Sequence, residues 1–300
     1  MHSHHSHSGD YVAHAADTLP AIVAAAKTRG FTTYCLTEHI PRETVKDLYP
    51  EESHLDVAAL EDTFARYYKH ARAIQAEYAE SGMQLLVGFE ADYIRPTYAE
   101  LLRNLREKYA FDMFVGSIHH VAEIPIDYDQ AQWDLAAQTC GGIVGLFEAY
   151  FDEQYAMLTE LQPPVVGHFD LIRLFATTHS TTPLATWPSV LAKAERNIRY
   201  IASYGGLVEI NSAAVRKGWA EPYPRRDVCD LVIANGGRFA LSDDSHSIAQ
   251  VGLNYHKSLD HVLSLGLAEI HYLALDKGAT VVRAISVADL ARSPFWADAA

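Results

Sequence analysis

Met1-His2-Ser3-His4-His5-Ser6-His7-Ser8-Gly9-Asp10 opens the chain, and His14 follows close behind. On an extended chain, side chains two residues apart point the same way. His5 and His7 can therefore meet one cation, while His2 and His4 face away from them. A purification tag is normally an unbroken histidine run followed by a linker. This run is broken by serines and leads directly into Gly9, Asp10 and the helical spacing of Leu19, Ile22, Val23 and Ala26. It reads as a first strand that ends in metal-binding side chains.

The same pattern recurs along the chain as a short apolar run, polar residues at its end, then a helix-like stretch. Phe31–Leu36 leads to Glu38 and His39, Met83–Val87 to Glu90, and Phe111–Val115 to His119 and His120. Pro164–Val166 leads to His168, Gly206–Val208 to Glu209 and Asn211, and Arg238–Leu241 to Asp243, Asp244 and His246. Between these runs, Leu19–Thr28, Val57–Glu80, Tyr98–Lys108 and Ser189–Tyr204 have amphipathic helical spacing. Alternating strands and helices predict an α/β fold with a parallel sheet. A doubly wound open sheet would gather functional residues at one switch point. Here candidates follow nearly every strand, as expected of a closed barrel whose strand ends share one face. An eighth run, Glu269–Leu275, ends without a ligand.

Composition narrows the function classes. The 300 residues are 49% hydrophobic and 21% charged, as expected of one globular domain spanning residues 1–300, and no linker divides them. No apolar run spans a membrane and no signal-peptide core is present. The three cysteines, Cys35, Cys140 and Cys229, are scattered, which predicts a reducing, cytoplasmic setting. The net charge of −14 argues against nucleic acid as a partner but permits a small anionic substrate, because bound cations reverse the sign locally. Oligomeric state is not legible.

The candidate metal ligands are His5, His7, His14, His39, Glu90, His119, His168, Asp244 and His246. Histidine suits zinc, with iron or manganese as substitutes, and a carboxylate can bridge two cations. His119 is preferred to His120, and Asp244 to Asp243, by position within their motifs. The ordered motifs HSHHSHSGD, TEHIPR, GFEADY, GSIHHV, GHFDLIR, EINSA and SDDSH resemble those of the PHP (polymerase and histidinol phosphatase) superfamily, especially its fungal histidinol-phosphate phosphatase branch. The resemblance implies a distorted (β/α)7 TIM-like barrel with three divalent metals at the C-terminal strand ends. It assigns His5, His7, Glu90 and Asp244 to the first metal. Glu90, His119 and His168 would hold the second, and His14, His39 and His246 the third. Ser3 stands where the common DxHxH opening has aspartate, a position behind the ligands.

The resemblance further implies hydrolysis of L-histidinol phosphate to L-histidinol and phosphate, a step of histidine biosynthesis, through a metal-bridging hydroxide. Three dications less two carboxylates leave about +4, a trap for a phosphate dianion. Arg173 is the expected phosphate clamp, with Arg216 and Lys217, beyond Asn211, as second choices. Asp244, His179 and the third metal are candidates for protonating the leaving group. Glu209, Asp92 and Asp170 are candidates for the substrate ammonium. The competing readings are a PHP-type phosphodiesterase or nuclease, a phosphatase for another small ester, and a non-catalytic metal-binding domain.

Overall fold

The computed structural model describes residues 1–296, and strands and helices alternate along it. The strands are β1 (His2–Ser3), β2 (Thr33–Leu36), β3 (Gln84–Val87), β4 (Glu90–Asp92), β5 (Val115–Ser117), β6 (His120–Val121), β7 (Ile124–Pro125), β8 (Val165–Val166), β9 (Leu207–Asn211), β10 (Arg238–Ser242), β11 (Glu269–Asp276) and β12 (Ala279–Ser286). The helices are α1 (Leu19–Arg29), α2 (Val57–Glu77), α3 (Tyr98–Lys108), α4 (Gln130–Thr139), α5 (Ile143–Leu161), α6 (Pro188–Tyr204), α7 (Ala213–Arg216), α8 (Arg226–Ala234), α9 (Tyr255–Ser264) and α10 (Val287–Ala291). Local chemistry sets the helix ends. Pro20 lies in the first turn of α1, which stops at Gly30 in the left-handed region, at φ 92°. Asp56 caps α2 by accepting from the Ala59 N–H.

Two parallel sheets result, one ordered β1-β2-β3 and the other β10-β9-β8-β5-β4. Isolated parallel bridges join them, Ser6 to Ser245 at one junction and His39 to Glu90 at the other. The second junction exists because the segment from Gln84 to Asp92 bends at Gly88. A Cβ there would stand 2.6 Å from both the carbonyl oxygen and the sulfur of Met113. The Tyr67 hydroxyl lies 2.7 Å from the carbonyls of both Leu36 and Gly88, tying α2 to this bend.

The apolar residues sort into two clusters by strand parity. Cys35, Leu86, Met113, Val115, Val165, Leu207, Ala240 and Leu273 form a small cluster of their own. Their neighbours Tyr34, Leu36, Leu85, Val87, Val166, Val208, Phe239 and Leu241 belong to the large core shared with the helices. Alternate residues of a strand face opposite sides, so the small cluster marks one common face of the strands.

Two sequence expectations shift. The run Phe111–Val115 becomes a strand only from Val115 to Ser117. The Glu269–Leu275 run is not a further parallel strand. It pairs antiparallel with β12 in a separate hairpin, anchored where the Leu273 N–H donates to His4 Nε2 and the Leu275 N–H to Gln84 Oε1.

Candidate metal centre

Following the small cluster's face toward the strand ends leads to the candidate ligands. Two pleats beyond Cys35, Leu86, Val115 and Ala240 stand His39, Glu90, His119 and Asp244. His5 and His7 arrive from the N-terminal segment, and His168 follows the short β8. Asp244 itself has φ 48°, in the left-handed region, a conformation uncommon for a non-glycine residue. All nine predicted residues are brought into one region of the fold. Eight of them line or directly adjoin a cavity of about 370 Å³, and His5 lies buried immediately behind it.

Glu90 is the hub. One of its oxygens lies 3.2 Å from His5 Nε2, 3.4 Å from His7 Nε2 and 3.1 Å from His39 Nδ1. The other lies 3.1 Å from His168 Nε2 and 3.3 Å from His119 Nε2. Asp244 Oδ1 stands 3.8 Å from His5 Nε2 and 3.6 Å from His7 Nε2. The ring of His14 is 5.5 Å from that of His39 and 5.0 Å from that of His246, and it is the most exposed of the nine. Ligand atoms of His7, His39 and His246 also lie within 4.8 Å of one another, so His7 stands between two of the expected groups.

The surrounding hydrogen bonds fix which ring nitrogens carry lone pairs. His5 Nδ1 is 3.0 Å from Glu209 Oε1, and His119 Nδ1 contacts Asp92 Oδ1. A carboxylate only accepts, so those nitrogens carry the protons and each Nε2 presents a lone pair to the cavity. The Nε2 atoms of His119 and His168 are 3.3 Å apart, both facing Glu90. Buried His5 Nε2, both nitrogens of His7 and His39 Nδ1 have no hydrogen-bond partner. Acceptors crowded against acceptors call for cations. Donors at about 2.0–2.1 Å around a tetrahedral zinc stand roughly 3.3 Å apart. The observed separations around Glu90 match that spacing, so the donor set fits a divalent metal.

Electrostatics agree with the crowding. Burial works against charge on Glu90, yet His5, His119 and His39 hold its carboxyl well below the usual range. Burial likewise opposes charge on His7, but Glu38 and Glu90 raise it to about 9. Without a cation, protons on His5, His7 and His119 would supply part of the missing charge, while burial keeps His39 and His246 neutral.

Several expectations are corrected by the geometry. Arg173 is fully buried and does not reach the cavity. Its guanidinium donates to the carbonyls of Ser180 and Thr182 and to Asp227, and it pairs with Asp170 at 3.1 Å. The turn Leu171–Arg173 directs this side chain inward, where two carboxylates neutralise it. Arg216 and Lys217 do line the cavity, and Arg216 donates to the carbonyl of Asp244 at 3.1 Å.

Glu209 and Asn211 stand behind the ligands rather than against a substrate. Glu209 accepts from the His168 N–H as well as binding His5, and Asn211 donates to Glu209 and to Asp244. Asp92 is engaged by Arg42 and His119, and Asp170 by Arg173 and the Arg225 N–H. His179 is exposed and outside the cavity lining. His2 and His4, on the other face of this segment, are buried and fixed. His4 Nδ1 donates to the Leu241 carbonyl, and His2 Nε2 accepts from the Leu241 N–H. Ser3 donates to Asp243 at 2.8 Å and lies 3.5 Å from the His5 carbonyl, so it stands behind the candidate ligands without reaching their metal-facing atoms.

Tyr49, Glu51, Asp127, Tyr128 and Gln250 also line the cavity and carried no sequence signal. They sit in connections without strand or helix periodicity. Only their proximity to ligand motifs could have raised them.

A parallel α/β fold with a histidine–carboxylate cluster at its strand ends defines a metallohydrolase-like class of protein. Residues 3–213 match the family described as PHP domain, and the chain belongs to that family. It is 42% identical to the "Probable histidinol-phosphatase" of Schizosaccharomyces pombe, over 95% of this chain and 94% of that protein. It is 37% identical to the histidinol-phosphatase of Saccharomyces cerevisiae, over 99% of this chain and all of that protein. Its fold matches that of a histidinol phosphate phosphatase from Lactococcus lactis, solved with zinc, L-histidinol and phosphate, at TM-score 0.63 and 16% identity, covering 93% and 98% of the two chains.

Proposed function

We propose that this chain is a metal-dependent phosphomonoesterase that hydrolyses L-histidinol phosphate to L-histidinol and phosphate. The observation that carries this reading is identity of 42% and 37%, over nearly full length, to two fungal proteins named histidinol-phosphatase. The site supplies suitable chemistry. His5, His7, Glu90 and Asp244 would hold one cation, Glu90 with His119 and His168 a second, and His14, His39 and His246 a third. Zinc fits the histidine-rich donors best. Divalent cations held there supply an activated water and neutralise charge on the phosphoryl oxygens. Glu209 and Asp92 keep the rings of His5 and His119 in the tautomer that ligation needs. Arg216 and Lys217 take over the phosphate-binding role expected of Arg173.

The two sheets are best understood as one distorted seven-stranded barrel. The bridges at Ser6–Ser245 and His39–Glu90 stand where its seams would close, and the small apolar cluster would fill its interior. Residues 1–300 would then form a single domain. The three cysteines are unpaired, in keeping with a cytoplasmic setting, and no described helix is long and apolar enough to cross a membrane.

Steady-state kinetics with zinc, on histidinol phosphate beside an aryl phosphate and a nucleotide diester, tests the reading. Histidinol phosphate should have the highest kcat/KM. A preference for the diester overturns the assignment.

A further inference from the structure

The cavity has two chemically different parts. The proposed ligands, Arg216 and Lys217 make one part a phosphate trap. Arg216 lies on α7 and Lys217 directly after it, so both basic side chains follow β9. The other part is built by the segment after β2, which carries Tyr49, and by the turn after β7, which carries Asp127 and Tyr128.

Asp127 is singled out by its hydrogen bonding. Among the described residues that line the cavity, every buried polar atom without a partner is an imidazole nitrogen of His7, His39 or His168, with one exception. The exception is Asp127 Oδ1. The nitrogens all belong to proposed ligand histidines, whereas Asp127 belongs to no ligand group. A buried carboxylate oxygen without a donor is costly, so such an atom requires an explanation.

The turn that carries it is fixed on both sides. The Ile126 N–H donates to the His119 carbonyl at 2.9 Å, and Asp129 caps α4 by accepting from the Gln132 N–H at 2.8 Å. Tyr49 is held by its own N–H bond to Glu52 and by the Arg42 guanidinium, 5.0 Å from its ring centre. The rings of Tyr49 and Tyr128 are 5.7 Å apart, which gives the carboxylate an aromatic flank. Glu51 also lines this part, but it lies 3.8 Å from His14 Nδ1 and is placed to orient that ring.

We propose that Asp127, flanked by Tyr49 and Tyr128, is the specificity-determining residue that receives the ammonium of a zwitterionic amino-alcohol phosphate whose phosphoryl group lies at the metal end. This rests on the phosphomonoesterase reading and extends it to the far end of the substrate. A cationic group there would donate to the orphan oxygen and meet two ring faces or edges suited to a cation or a planar heterocycle. An ester without a cation would leave that buried carboxylate oxygen unpaired, so discrimination would come from rejection as well as attraction.

The test compares wild type and Asp127→Asn on three phosphomonoesters: histidinol phosphate, an alkyl phosphate of similar length that carries no ammonium, and p-nitrophenyl phosphate. Wild type should prefer histidinol phosphate to the alkyl ester. If it does not, both the substrate assignment and this proposal fall. In the variant, kcat/KM for histidinol phosphate should fall about 10- to 100-fold, mainly through KM, while the two esters without a cationic group change less than about threefold. L-Histidinol binding measured by calorimetry should weaken in parallel, and inorganic phosphate binding should not. An equal loss on both alkyl esters through kcat would make Asp127 a proton donor to the leaving group. Unchanged histidinol phosphate kinetics, or an equal loss on all three esters, also overturns the proposal while leaving the substrate assignment intact.

Discussion

The two faces of the N-terminal segment hold the same residue type in opposite states. His5 and His7 present unpaired nitrogens to a cluster of carboxylates, whereas His2 and His4 are spent on backbone groups of β10 and β11. All four are buried. Glu90 and its neighbours leave His7 ready to hold positive charge. Burial lowers His4 to about 4 and keeps it neutral, the Leu241 carbonyl and the more distant Glu209 offsetting only part of the effect. Burial alone therefore does not mark a functional histidine. What faces each nitrogen does.

That contrast can be broken at several points. The largest effect is expected at Glu90, which touches five of the histidines. Glu90→Gln should lower kcat/KM by at least about 10³-fold and reduce the bound metal per chain, while circular dichroism stays that of the wild type. Near-normal turnover at saturating zinc would remove Glu90 from the centre of the site.

On the opposite face the effect should be on stability. His4→Ala leaves the Leu241 carbonyl and the Leu273 N–H without their partner and opens a cavity. It should cost about 2–4 kcal/mol in denaturant unfolding, with metal content and activity per folded molecule nearly unchanged. A loss of activity without a loss of stability would erase the distinction between the two faces.

The arginines give a smaller test of the same kind. Arg216→Ala should reduce kcat/KM for the phosphomonoester about 10- to 100-fold with little change in stability, since one charge-assisted contact is lost. Arg173→Ala should do the reverse, destabilising the fold because Asp170 and Asp227 lose their buried counter-charge. If the two variants exchange phenotypes, the inward course of Arg173 is wrong.

The candidate ligands were legible because strand period and chemistry coincide. Cys35 to His39 and Leu86 to Glu90 keep the same face over four residues, and that periodicity is visible in the sequence. Arg173 was misread because following a strand end says nothing about direction, and the turn at Leu171–Arg173 sends it into the core. Asp127 and Tyr49 were invisible for a related reason. They lie in aperiodic connections whose course depends on distant anchors such as the His119 carbonyl and Arg42. The antiparallel course of β11 was hidden too, since an apolar run carries no signal of strand polarity.

The bridge from Ser6 to Ser245 also has a temporal consequence. His5 and Asp244 belong to one cluster, yet 239 positions separate them along the chain. At about 5–20 residues per second, a ribosome needs roughly 10–50 s to make the second after the first. Through that interval the earliest imidazoles lack both Asp244 and the β10 neighbour that seats their segment. Tight cation capture by the group that contains His5, His7 and Asp244 would thus be a late event in the life of each molecule, and metal uptake followed during synthesis would time the moment at which these distant segments meet.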